Sequence, residues 1–138
     1  MPSLPAAAAF GTPPTLDDIA ALAEAALGTL PQELRRLAGT VLLRVEDFPD
    51  SDTEQEMQLD SPFELLGLYR GRPLTERSVS SVATEPDMVF LYRRPILDLW
   101  CEEGEDLATL VRHVLIHEIG HHFGFSDEDM ERLEQEAE

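Results

Sequence analysis

His117-Glu118-Ile119-Gly120-His121-His122-Phe123-Gly124-Phe125-Ser126-Asp127 is the stretch on which the reading of the 138-residue chain turns. His117 and His121 are four apart, so on an α-helix their side chains leave the same face about one turn apart. Two imidazoles so placed can grip one Zn²⁺ at about 2.0–2.1 Å. Glu118 follows the first histidine, close enough to take a proton from a water that the metal acidifies, without itself being a ligand. Gly124, three past His121, can adopt the left-handed conformation that ends a helix and turns the chain back. Asp127 then falls within reach as a third metal ligand. Two histidines and one carboxylate leave the fourth zinc position open, as a catalytic site needs and a structural site does not.

Working outward, Glu103–His122 reads as the principal helix. Leu107, Leu110, Val111 and Val114 share an arc with His117, Glu118 and His121, so the polar trio interrupts an apolar stripe. Burying two imidazoles and a carboxylate without partners is costly, and a metal relieves that cost. Ser126–Glu138 reads as a terminal helix, with Ser126 as its cap and Asp127, Glu128 and Asp129 in its first turn. His122 lies away from His117 on the wheel and reads as a core-edge residue. His113, one turn before His117, reads as a partly exposed histidine outside the ligand set.

The preceding half supplies short elements. Thr15 is placed to cap a helix in which Leu16, Ile19, Ala20, Ala23 and Leu27 recur at helical spacing before Gly28. Pro31 opens a second helix, Gln32–Ala38, that ends at Gly39. Strands are expected at Thr40–Val45, Leu65–Arg70 and Asp87–Arg94, with Pro95 stopping the last. Ile96–Cys101 follows as a helical turn or short helix, with Cys101 packed. Glu46–Glu64 holds eight acids and no basic residue, and reads as a solvated loop. Gly71–Pro86 is loop-like in composition. Residues 1–14 read as a Pro/Ala-rich disordered leader, and residues 15–138 as a single domain with an α+β pattern.

HEIGHHFGFSD resembles the HExxHxxGxxD form of the zincin motif. The wider chain resembles the small bacterial zincin-like metallopeptidase family, through LLGLYRGRPLTERS (Leu65–Ser78), PDMVFLYRRPILD (Pro86–Asp98) and the acidic C-terminal helix. The resemblance implies a minimal α+β zincin fold, in which a sheet of about three strands packs on an active-site helix. It also implies Zn²⁺ as cofactor, with His117, His121 and Asp127 as ligands, Glu118 as general base, and peptidase activity. In zincins an edge strand pairs with an extended peptide or protein substrate; Met88–Arg94 and Leu65–Arg70 are both candidates here. Candidates for stabilising the developing oxyanion are Tyr69, Arg77, Tyr92, Arg93 and Arg94.

The match is not complete. Metzincin-type enzymes place a methionine turn under the metal, whereas the only methionine after the motif is Met130, on a predicted helix. Glu128 and Glu131 are substitutes for Asp127 as third ligand. Peptide deformylase, another small HExxH enzyme, requires a cysteine ligand in an EGCLS-like context and an aspartate where Gly120 stands. The rRNA-maturation endonucleases share the ligand spacing but lack the glutamate. A zincin-fold binding module with weak or no activity is the non-enzymatic alternative.

Composition narrows the partners. Ten arginines against 28 acids give a formal charge of −18 and a pI near 4.3. Such a surface repels phosphate backbones and argues against nucleic acid. Cys101 is the only cysteine, which excludes an internal disulfide or a four-cysteine zinc site. No stretch reaches the roughly 18 apolar residues of a membrane span, and a reducing cytoplasm is the expected address. The acids gather in Glu46–Glu64 and Ser126–Glu138, so a basic or neutral extended substrate is expected.

Overall fold

Helix α5 (Leu107–His122) is the element against which the others are arranged. The computed structural model describes residues 12–71 and 87–136. Along α5, Leu107, Leu110, Val111, Val114, Leu115, Ile116, Ile119 and Gly120 are all buried. So broad an apolar arc needs cover from several sides, which α1, the sheet and α6 provide.

Helix α1 (Leu16–Gly28) begins at a reciprocal cap: the Asp18 amide donates to Thr15 Oγ1 at 3.1 Å, and the Thr15 amide donates to Asp18 at 2.8 Å. Ile19, Ala23 and Ala26 face the core. Pro31 precedes α2 (Gln32–Ala38), which stops where Gly39 takes a positive φ of 59°. Strand β1 (Val41–Glu46) follows.

The sheet is mixed, in the order β1-β3-β2, with β2 (Gly67–Arg70) antiparallel and β1 parallel to the central β3 (Asp87–Tyr92). In register, Leu43 stands beside Val89 and Val45 beside Leu91, while Tyr69 flanks Val89 on the other side. These residues form the face turned to the core. Alternation sends Leu42, Arg44 and Arg70 to the other face, where Leu42 and Arg44 are exposed. With β3 paired on both sides, Met88–Arg94 cannot be the substrate-pairing edge. Of the two anticipated candidates, only the Leu65–Arg70 segment supplies an edge strand.

Several expectations change. The acidic run is not wholly loop: α3 (Ser51–Glu56) forms behind an Asp50 cap, whose carboxylate accepts from the Thr53 amide at 2.8 Å. Thr53 is buried beneath that turn, and a 3₁₀ turn follows at Pro62–Glu64. Strand β3 passes directly into α4 (Arg93–Glu103), so Pro95 occupies the first turn of a helix. Glu103 ends α4 and does not open α5. The left-handed Gly104 breaks the chain there, and Asp106 caps α5 by accepting from the Thr109 amide. Cys101 is exposed near the end of α4 instead of packed.

Helix α6 (Asp127–Glu136) lies against α5 through Met130 and Leu133, both fully buried. Of the expected leader, residues 1–11 lie outside the described residues. Thr12–Pro14 are described, and Pro14 is buried with its carbonyl accepting from Arg93 Nε. The fold is a small α+β arrangement, a three-stranded mixed sheet with helices packed around it, as expected. No helix among the described residues is long and apolar enough to cross a membrane.

Candidate metal centre

Three histidines at steps of four, His113, His117 and His121, run down one side of α5. Four residues overshoot a 3.6-residue turn by about 40°, so such a stripe winds around the helix. His113 is accordingly exposed, His117 half-buried and His121 exposed again. The stripe follows the seam with α6 and does not interrupt the core, which continues through Leu115, Ile116 and Ile119.

The chain reverses tightly after α5. Gly124 adopts φ 84°, and the Phe125 amide donates to the Gly120 carbonyl at 2.9 Å. Ser126 and Asp129 then cap α6 reciprocally: the Asp129 amide donates to Ser126 Oγ at 3.1 Å, and the Ser126 amide to Asp129 at 3.2 Å. The turn places Asp127 Oδ1 3.2 Å from His121 Nε2. His117, His121 and Asp127 present ligand atoms within 4.8 Å of one another. Donors in a tetrahedral zinc site stand about 3.3 Å apart, so modest side-chain rotation closes this set on an ion.

Gly120, between the motif histidines, is required by contact. A Cβ there would lie 2.8 Å from Met130 Cγ and closer still to its Sδ. Met130 thus supports the motif from below, although it belongs to a helix and not to a turn. Gly120→Val should cost about 1–3 kcal/mol through overpacking, read as a lowered urea midpoint. An unchanged midpoint would mean that Met130 can swing aside.

Glu118 is largely sequestered, and burial pushes its carboxyl up to about 7 against the opposing pull of His121. A base with its pKa near neutrality suits proton transfer in both directions. His117 is held below the usual imidazole range, first by burial and then by the neighbouring His113, with Glu134 opposing. Its neutral form is the one that binds metals.

Glu134 was not anticipated from the sequence. Its Oε1 is shielded from solvent, 2.9 Å from His113 Nδ1 and 3.1 Å from His117 Nε2, yet satisfies hydrogen-bond geometry with neither. An imidazole pair converging on an unsatisfied buried carboxylate oxygen is a donor set that fits a transition-metal ion. The available signal was periodicity: Asp127, Glu131 and Glu134 stand at i, i+4 and i+7 on one face of α6. With His113 and His117 they line an open hollow of about 350 Å³. Glu128, the other suggested substitute ligand, does not line it.

The remaining candidates are mostly engaged elsewhere. His122 stacks on Tyr69, with ring centroids 4.0 Å apart, and Tyr69 donates its hydroxyl to Asp87 at 2.7 Å. Arg93 pairs with Asp47, Arg94 lies over the Phe48 ring, and Tyr92 is buried with its hydroxyl pushed up to about 12 by burial. None of these three is brought to the histidines. Arg77 lies outside the described residues.

No curated protein matches the chain. Residues 38–137, from the end of α2 through α6, match the family model for zincin-like metallopeptidases, and the chain belongs to that family.

Proposed function

We propose that the protein is a zinc-dependent peptidase, with His117, His121 and Asp127 as the metal ligands and Glu118 as general base. The convergence of those three donors beside a carboxylate held near neutral pKa is the observation that supports this reading most. Zinc held there would acidify a water and polarise the scissile carbonyl. Glu118 accepts the proton released in the attack and, half-buried beside His121, keeps it for delivery to the departing amine. The turn at Gly124 fixes Asp127 against His121, and Met130 braces the helix beneath.

The substrate in this reading is an extended peptide lying along β2, the edge strand packed beside α5. The α6 rim carries Asp127, Glu131 and Glu134, which favours basic or neutral side chains over acidic ones. Cleavage profiling of a peptide library with the zinc-loaded protein and its Glu118→Gln variant tests the proposal. The expected result is cleavage by the wild type alone, with acidic peptides the poorest substrates. Equal cleavage by both proteins would remove Glu118 from the mechanism, and a preference for acidic peptides would overturn the charge argument.

A further inference from the structure

Five potential ligands gather on the α5–α6 seam, more than one tetrahedral site with an open position can use. They fall into two groups that share His117: His117 with His121 and Asp127, and His117 with His113 and Glu134. In the second group the histidine rings are 4.0 Å apart and both approach the same shielded oxygen, Glu134 Oε1. That oxygen has no hydrogen-bond partner, although the other oxygen of the carboxylate is hydrogen-bonded to His113 Nδ1 at 3.2 Å. Ion pairing of the usual kind would have satisfied both. Two imidazole nitrogens converging on an oxygen that hydrogen-bonds to neither is the pattern of donors arranged around a common acceptor of lone pairs.

We propose that His113, His117 and Glu134 form a second position for a divalent transition-metal ion, one that competes with the productive position for His117. The competition follows from the chemistry of imidazole. A neutral ring has a single lone pair on its unprotonated nitrogen, and His117 turns Nε2 toward Glu134 at 3.1 Å. Given His117, His121 and Asp127 as the productive set, as proposed above, an ion taken by His113 and Glu134 deprives that set of a ligand. Glu118 lies beside His121, whose charge acts on it, so an ion in the second position also leaves the base without its metal partner. The second position is therefore inhibitory, and excess zinc would act through it.

The test uses full-length protein lacking the productive set. His121 and Asp127 have side chains 54% and 85% exposed, so the double variant H121A/D127A removes two ligands without opening the core. Co²⁺ added to this variant is followed by its visible absorption. One Co²⁺ should bind per chain, and adding E134Q should weaken binding by at least about tenfold, since loss of even a supporting partner costs about 10–100-fold. Adding H113A instead should have a comparable effect without touching α6. An H121A/D127A protein that is folded by circular dichroism and binds no Co²⁺ would overturn the proposal. Binding that survives both E134Q and H113A would overturn it as well. These measurements do not require peptidase activity: a wild type that binds metal but cleaves nothing would defeat the proposed function and leave the second position standing.

Discussion

Glu118→Gln is expected to lower turnover by about 10²–10⁴-fold, the usual worth of a positioned general base, while making the metal-free protein more stable above neutral pH. The amide keeps the shape of the side chain but cannot accept the proton. The gain in stability follows from the same burial that tunes the base. The Glu118 carboxyl is pushed from 4.5 up to about 7 in the folded protein. Between those values the folded chain holds the proton more often than the unfolded chain, so stability falls as pH rises through that window. Below it both states are protonated and no penalty applies. Above it both are ionised and the penalty is complete, on the order of 3 kcal/mol for such a shift. Glutamine has no such penalty. Urea unfolding of the metal-free proteins should therefore show a higher midpoint for Glu118→Gln at pH 8, with the advantage shrinking toward pH 4.5. His117, held below its ordinary range, acts with the opposite sign in both proteins and cancels from the comparison. A constant difference across pH would disconnect the stability effect from ionisation of Glu118.

His117→Ala is expected to have the largest effect on metal binding. Each ligand of a structural zinc site accounts for roughly a quarter of about 10–16 kcal/mol, so losing one should weaken binding by a factor on the order of 10²–10³. His121→Ala leaves the His113–His117–Glu134 group intact, and His113→Ala leaves the other group intact. His117→Ala alone breaks both groups. Competition with a zinc chelator should therefore rank His117→Ala well below either of the other variants. Equal losses for His117→Ala and His121→Ala would show that a single group holds all the metal.

The elements around the motif were largely readable because their signals are local. Thr15, Gly39 and Gly124 act within one turn of where they stand, and the structure uses each as expected. The strands were found by alternation, but their order was not. That β3 is central follows from pairing with residues far away in sequence, which no short window contains. The break between α4 and α5 is legible in the sequence, but it falls at Gly104 and Asp106, a stop and a start, a few residues later than the expected start of the principal helix at Glu103. In the acidic run, the abundance of carboxylates obscured that one of them, Asp50, caps a helical turn and buries Thr53.

At the candidate site, the three-residue set could be read because its geometry is nearly contained in one helix and the turn after it. Glu134 could not be paired with His113 by the same means. They lie 21 residues apart and meet only because Met130 and Leu133 seat α6 on α5. The helical spacing from Asp127 to Glu134 marked a face, and the fold determined what that face would meet.

The seating of α6 has a further consequence. Its apolar anchors are Met130 and Leu133, while its donors to the seam, Asp127 and Glu134, sit two turns apart on either side of them. An ion held between α5 and either donor adds a strut across the two helices. The slow exchange of α6 amides with deuterated solvent then becomes a gauge of where the ion resides. Occupation through Asp127 would chiefly protect the start of the helix, and occupation through Glu134 its end, so fraying at the two ends would report the choice of position in the unmodified protein.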